Sequence, residues 1–451
     1  MGLLARALSL VVGETDRRVI VLALARMVGA IGNSFLVVVL PLYIASGEVD
    51  LSGFLDVRLD VGVLLGGGVD PGTLALTLTE PLLIGLVLSL FGFVNSLAQP
   101  FTGRLSDRTG RRKSLILVGI AVLGSASAAY AFVDSYPAVL FLRALQGLGI
   151  GVAIPSTVAL VNEYSATGDR GGSFGVFNTF RLIGFGFGPL LAGAVVQFGP
   201  YRLPDGGTLS GFDAAFAVAA LGAAGSFALV TVFVSQPERI EVPASDELAV
   251  SVTGDGRLLD PVFTLGIATV CLAITVALFA TLQPQVNARL GQGEVLFAAQ
   301  FGAVVVANVL FQIPIGRLSD RYGRKPFLVG GFVLLVPAVL AQGVVTDPWI
   351  MLGARLLHGV SVAMVFAPSL ALAGDLAREG ESGSTLSILT MGFGLGVAIG
   401  PLASGYLVGF GFVWPFAVGA VLAAAGLLLV VSQVEDTVTA GKPVTTPSPQ
   451  D

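Results

Sequence analysis

Residues 95–113 read NSLAQPFTGRLSDRTGRRK, and residues 308–325 read NVLFQIPIGRLSDRYGRK. The two stretches stay in register through Asn95/Asn308, Gln99/Gln312, Gly103/Gly316, Asp107/Asp320 and Gly110/Gly323, a spacing of 213 residues. At a spacing of 212 the match continues: Arg143 with Arg355, Gly147 with Gly359, Glu163 with Asp375, and Gly188-Pro189 with Gly400-Pro401. A repeat held over this length marks a duplicated unit. Ahead of these stretches the spacing lengthens, and Pro41 pairs with Pro284 only if part of the intervening segment is an insertion in the first copy.

The composition is that of a protein dissolved in lipid. Of 451 residues, 54% are hydrophobic and 12% charged, where a soluble domain carries about 25% charged residues. The apolar residues come in blocks of about 20 or more, enough for a helix to cross a hydrocarbon core roughly 30 Å thick. Lipid offers backbone groups no partners and the blocks are too long for barrel strands, so each is read as a helix. Twelve spans are expected, at 19–44, 81–102, 114–133, 137–161, 173–197, 213–235, 263–284, 294–315, 327–346, 349–373, 384–409 and 412–433. The expected fold class is all-α integral membrane, two parallel six-helix pseudo-repeats. An even number of spans separates the copies, so both insert in the same direction.

Basic residues set the orientation. With both termini in the cytoplasm, 17 Lys and Arg fall on the inner side and only Arg58, Arg202 and Arg289 on the outer. Residues 1–235 are expected to form the first bundle, with an outer-loop insertion at 45–80. A cytoplasmic linker follows at 236–262, the second bundle at 263–433, and a disordered tail at 434–451. Leu3–Val12 is too short to span and lacks a small-residue cleavage site, so it is read as a juxtamembrane helix rather than a signal peptide. The outer loop carries Glu48, Asp50, Asp56, Asp60, Asp70 and Glu80 against one arginine. Two readings stay open for it, a cation-attracting vestibule and a solvated, salt-adapted insertion.

Several function classes are excluded by what the chain lacks. Cys271 stands alone, so there is no intrachain disulfide and no thiolate metal cluster. The sequence has no Walker A loop, GxSxG, HExxH or CxxC. An enzyme, a cofactor, a metal site and a nucleic-acid partner are therefore not expected.

The paired 95–113 and 308–325 stretches resemble the cytoplasmic signature of the major facilitator superfamily, which lies between its second and third helices and again between its eighth and ninth. The resemblance covers residues 19–433. It implies a transporter working by alternating access, with spans 1, 4, 7 and 10 around a central cavity and the signature loops latching the cytoplasmic side. In the residues themselves, Gly103 and Gly110 permit close approach and tight turning. Asp107 is placed to cap the positive end of a neighbouring helix. Arg108, Arg111 and Arg112 are placed to pair with carboxylates, of which Glu163 and Asp375 at the inner ends of spans 4 and 10 are the natural candidates. Gly316, Asp320, Arg321, Gly323 and Arg324 repeat the set. The alternative is that the cluster only fixes topology and binds anionic headgroups.

Within the spans, Arg143, Gln146 and Gly147 share one helical face and resemble the family's RxxQG element, with Arg355 and His358 on the corresponding face of span 10. Arg143 is read as a cavity or proton-handling residue, or else as snorkelling to headgroups; His358 as a packing residue or a proton carrier. Span 5 carries Gly175, Gly184, Gly188, Pro189, Ala192 and Gly193, resembling the antiporter motif of drug exporters, and Gly396, Gly400 and Pro401 echo it in span 11. This stripe is expected to pack against the opposite half as a moving seam. Arg26 contacts an anionic substrate or snorkels. Arg181 pairs with Glu163 or lines the inner pathway. Asn33, Gln283 and Asn308 are further cavity candidates. None of the 29 carboxylates falls in the middle third of a span, so a buried proton-exchanging acid is not visible.

The resulting expectation is a monomeric secondary transporter of the plasma membrane, exporting hydrophobic or amphipathic compounds, with protons or another ion as coupling partner and membrane lipids around it. An importing permease for a sugar, organic anion or other metabolite is the alternative, and a non-transporting receptor a third reading.

Overall fold

A computed structural model describes residues 16–60, 75–165, 170–204, 206–236, 252, 258–376 and 382–436, without the side chains of 58–60, 75–76, 107, 170–175 and 382–387. The loop tip 61–74, most of the linker and the tail from 437 lie outside the described residues.

Twelve helices among the described residues are long and apolar enough to cross a membrane. Spans 1–6 are Arg17–Ala45, Glu80–Thr109, Arg112–Ala129, Tyr136–Tyr164, Arg170–Gln197 and Gly211–Phe233. Spans 7–12 are Pro261–Thr281, Glu294–Tyr322, Lys325–Val344, Pro348–Leu376, Ser382–Leu407 and Trp414–Gln433. The all-α membrane fold read from the sequence is the one observed.

Helix ends follow local chemistry. Asp260 accepts hydrogen bonds from the N–H groups of Val262 (2.8 Å) and Phe263 (3.2 Å), with Pro261 as the first helical residue. Two ends differ from expectation. Spans 2 and 8 run on as helix through the signature to Thr109 and Tyr322, so Gly103–Arg108 is not a loop. Hydropathy marks where the lipid ends, whereas a helix persists in water until something stops it. Here that stop is Gly110, left-handed at φ +61°, and Gly323 at φ +100°. Span 7 ends early, at Thr281. The chain restarts as a short helix, Gln283–Leu290, with Pro284 in its first turn.

The two halves use one packing scheme. Span 1 packs on spans 5 and 6, span 2 on span 4, and span 3 on spans 4 and 6. Span 7 packs on spans 11 and 12, span 8 on span 10, and span 9 on spans 10 and 12. Registers agree in detail: a Cβ added at Gly184 or Gly188 would strike the Met27 or Ile31 carbonyl, and one added at Gly396 or Gly400 would strike that of Val270 or Ile274. Through these contacts Arg181 corresponds to Phe393, and Arg26 to Thr269. Spans 7 and 1 are the most enclosed (72% and 61% of their apolar windows buried), spans 4 and 10 follow at 56%, and span 6 is lowest at 28%. Spans 1, 4, 7 and 10 therefore sit centrally. Phe141, Leu221, Val421 and Leu428 are among the apolar side chains left outside for lipid.

Two seams join the halves, span 2 with span 11 and span 5 with span 8. One face of the protein carries two β-hairpins, β1 (Arg58–Asp60) with β2 (Ala75–Thr77) and β3 (Tyr201–Arg202) with β4 (Thr208–Leu209). On this hairpin side the seams are tight. A Cβ on Gly85 would strike the Pro401 carbonyl, and one on Gly405 the Pro81 carbonyl. One on Gly92 or Gly193 would lie 2.8 Å from the Ala398 or Ala298 methyl. The Leu402 N–H donates to Ser89 Oγ (3.0 Å) and the Val295 N–H to Gln197 Oε1 (3.2 Å), both across the seam. Towards the opposite, terminus side the surfaces part. A Cβ on Gly103 would meet only Pro155 of its own half, and one on Gly316 would meet nothing within 4 Å. The molecule is closed at the hairpins and open at the termini.

Gly405→Val sets a branched side chain against the Pro81 backbone and should hold the hairpin side apart. With Ser89→Cys and Leu402→Cys joined by a short bifunctional reagent, we expect the substitution to slow cross-linking at least about tenfold, an equilibrium shift of the size a single steric block produces. The background is Cys271→Ser, which removes the single native thiol. An unchanged rate would show that the seam is not closed by these glycines.

Candidate functional site

At the terminus side, each signature is tied to its own half. Arg112 forms an ion pair with Glu163, both nearly buried between spans 3 and 4. In the second half Arg324 bridges Asp375 (3.2 Å) and Asp320 (3.3 Å). Arg108, Arg111 and Arg321 are exposed. The Asp107 side chain lies outside the described residues. Its copy, Asp320, is 61% exposed and pairs one turn along its own helix, so it does not cap a neighbour. That capping falls to residues the sequence reading missed. Gln236 accepts from the Lys113 N–H (3.0 Å), and Asp436 accepts from the N–H groups of Arg324 (3.0 Å) and Lys325 (3.2 Å). Each is the third residue past the last span of its half. That shared offset was the available signal, obscured because it falls in segments with no apolar pattern.

Deeper in, the arginines of spans 4 and 10 are enclosed. Arg143 donates to Gln146 Oε1 (3.0 Å) and stacks over Phe91 at 4.5 Å, while Gln146 donates to Ser127 Oγ (2.9 Å). Arg355 donates to the Gln300 carbonyl (3.1 Å) and to Gln342 Oε1 (3.2 Å), and lies 4.2 Å from the Phe279 ring centre. Both arginines are 1% exposed, so neither snorkels to headgroups nor lines an open cavity in this conformation. An arginine at mid-bilayer costs roughly 2.5–3.5 kcal/mol on insertion scales, and a desolvated cation–π contact offsets about 2 kcal/mol of it.

The same network fixes the histidine. With Gln342 Oε1 turned to Arg355, its amide nitrogen faces His358 Nδ1 at 3.2 Å and must donate to it. The ring proton then sits on Nε2, facing Thr275 Oγ1 at 3.3 Å, and Thr275 in turn donates to the Leu272 carbonyl (2.7 Å). His358 is a neutral link in a satisfied chain. A second proton on it would set donor against donor.

The antiporter-like stripe proves to be two faces. Gly184 and Gly188 pack on span 1, and Gly396 and Gly400 on span 7, each within one half. The stripe expected at the moving seam is thus inside the bundles, because Gly186 and Gly193, half a turn away around the helix, are the ones that face span 8. Pro401 does reach the seam, through its carbonyl against Gly85. Pro189 is buried inside span 5. Gly175 lies on helix whose surroundings are not described.

What remains polar lies on central and seam helices. Asn33 lies two turns from Arg26 on the same face of span 1. Arg181 lies one turn before Gly184, beside Met27, and donates to Asn178 Oδ1 from Nε (3.1 Å) and Nη2 (2.9 Å). It does not reach Glu163. Asn33 Oδ1, Asn308 Oδ1 and both amide atoms of Gln283 are buried and have no hydrogen-bond partner among the described residues.

Twelve helices in two like-packed halves, closed on one side and polar between, define a membrane carrier fold. The family described as Major Facilitator Superfamily matches residues 22–285 and again 263–448, and the chain belongs to it. It is 25% identical over 341 residues to the vesicular acetylcholine transporter of Rattus norvegicus, across 74% of this chain and 62% of that protein. It is 24% identical over 348 residues to the synaptic vesicular amine transporter of Mus musculus, across 75% and 63%. The chain thus spans less than two thirds of the length of either. In shape it is similar to a bacterial homolog of the human lysosomal transporter Spinster in an inward-facing and occupied conformation, at TM-score 0.67 and 13% identity over 92% of this chain and 94% of that one.

Glu163→Gln removes the carboxylate charge that pairs with the nearly buried Arg112 and should destabilise the protein by about 2 kcal/mol, as loss of a charged hydrogen bond does. Asp436→Ala, which uncaps span 9, should cost about 1 kcal/mol. Thermal melts of purified protein read both; an unchanged melting temperature for Glu163→Gln would mean the pair is incidental.

Proposed function

We propose that this protein is a secondary active transporter of the plasma membrane that exports amphipathic small molecules by alternating access. The observation that carries the reading is the asymmetry of the seams: small residues close the hairpin side and no such contact closes the terminus side at Gly316. The excess of Lys and Arg on the terminus side supports a cytoplasmic-open state, with both termini inside. The Gly184–Pro189 motif, resembling that of drug exporters, supports export. Relatives named for acetylcholine and amine transport support carriage of small molecules in general. The intact copies of the signature, each ion-paired, disfavour a receptor that has abandoned transport.

A second reading, an importing permease for an organic anion, is favoured by one observation: the cavity wall carries arginines and no mid-span carboxylate. In either case the gate residues are Arg112 with Glu163 and Arg324 with Asp375, exchanging partners as the terminus side closes. Proton coupling would fall to Glu163 or Asp107, since His358 is committed to its hydrogen-bond chain.

Proteoliposomes test the proposal. Loaded with rhodamine 6G or 5-carboxyfluorescein, they should release at least one dye faster than protein-free vesicles, and unlabelled dye outside should speed that release. Release equal to the protein-free control for both dyes would contradict transport of amphipathic compounds. A rate indifferent to an imposed pH gradient would remove protons as the coupling ion.

A further inference from the structure

Two charged residues are among the positions where the halves break the repeat. Arg181 on span 5 corresponds to Phe393 on span 11, and Arg26 on span 1 to Thr269 on span 7. Thr269 is buried and donates to the Leu265 carbonyl at 2.7 Å, so it adds nothing polar to the wall. Phe393 is half-buried and meets Phe366 of span 10 edge-on, with ring centres 5.4 Å apart. One half thus presents two cations where the other presents an aromatic pair.

The two cations are close. Spans 1 and 5 pack parallel with Gly184 on Met27 and Gly188 on Ile31, which brings Arg181, one turn before Gly184, to within a turn of the level of Arg26, the residue before Met27. Their guanidinium groups repel each other. Among the described residues, Arg26 has neither a hydrogen bond nor an ion pair, and Arg181 is held only by the neutral Asn178. Two like charges side by side in low dielectric, with no counter-charge, are costly. Both are half-buried on central or seam helices, away from the span ends where a long side chain reaches headgroups. By contrast, Arg143 and Arg355 are fully packed against amides, carbonyls and rings. The pair has the form of a site whose counter-charge arrives with its ligand.

We propose that the cavity binds an amphipathic anion, its carboxylate, sulfonate or phosphate head between Arg26 and Arg181 and its apolar body on the Phe366–Phe393 pair. The inference rests on the transport reading for its purpose, but binding tests it without flux. The same head-group chemistry is carried by soluble amphiphiles and by anionic lipids.

Matched naphthyl probes separate the outcomes: naphthalene-2-sulfonate, 2-naphthoate and 2-naphthyl phosphate against 2-naphthyltrimethylammonium, titrated into the full chain in phosphatidylcholine nanodiscs. We expect the anions to bind, the cation to bind at least tenfold more weakly, and Arg181→Gln or Arg26→Gln to weaken the anions at least tenfold. Arg181→Lys should restore part of the loss, and Phe393→Ala should weaken naphthyl anions while leaving methanesulfonate unchanged. Should a glutamine variant fail to fold, displacement of the anion from wild-type protein by sodium sulfate carries the same test. Nanodiscs containing phosphatidylglycerol distinguish the sources, since competition from the lipid assigns the site to a lipid anion and its absence to a soluble one. Preference for the cationic probe, or anion binding indifferent to both arginines and to sulfate, overturns the inference. Arginine-dependent binding without vesicle flux would uphold the site and remove the transport reading instead.

Discussion

In lipid no hydrophobic force joins one helix to another, because the surrounding chains are as apolar as the side chains they would displace. What holds the two halves together must be close backbone approach, and this protein concentrates it on one side. Gly85 against Pro401, Gly405 against Pro81, Gly92 against Ala398 and Gly193 against Ala298 let four helices touch with almost no side chain between them. Such a contact is short in range. It has one tight arrangement and is lost as soon as the backbones separate, which suits an interface that must both seal and release.

Everything else in the fold strengthens the halves as units. The arginine networks of Arg143 and Arg355 lie wholly within one bundle each, as do the ion pairs of Arg112 and Arg324. Gln236 and Asp436 tie each signature to the end of its own last span. Charge and hydrogen bonding thus rigidify the bundles, while the seam between them relies on close packing, with hydrogen bonds at the hairpin side from Val295 to Gln197 and from Leu402 to Ser89. Rigid bodies joined by a releasable seam are the physical requirement for rocking.

Much of this was legible in the sequence, for identifiable reasons. Lipid leaves helix as the only option for an apolar run, so span number followed from hydropathy, and the repeat gave the pairing of halves. The ends of spans 2 and 8 were not legible, because hydropathy reports the edge of the hydrocarbon and not the end of a helix. The partner of Glu163 was correctly sought among the signature arginines, since a carboxylate at a span end has few cations within reach. Arg181 was offered Glu163 as well, and only the packing of spans 3 and 4 shows that Arg112 occupies it. The antiporter-like stripe was assigned to the seam because small residues at a three-to-four spacing mark close packing without naming the partner. Gly184 and Gly186 are two positions apart and face opposite ways.

The central claim is that two rigid halves rock about the cavity, so that one side opens as the other closes. Pulsed electron paramagnetic resonance tests it directly, with spin labels at the exposed positions Leu203 and Trp349 on the hairpin side and, in a second preparation, Thr109 and Tyr322 on the terminus side, both in a Cys271→Ser background. Adding a bound probe should shift the two distance distributions in opposite directions, the hairpin pair lengthening as the terminus pair shortens. Distances that stay single and fixed on both sides, or that lengthen together, would contradict the account.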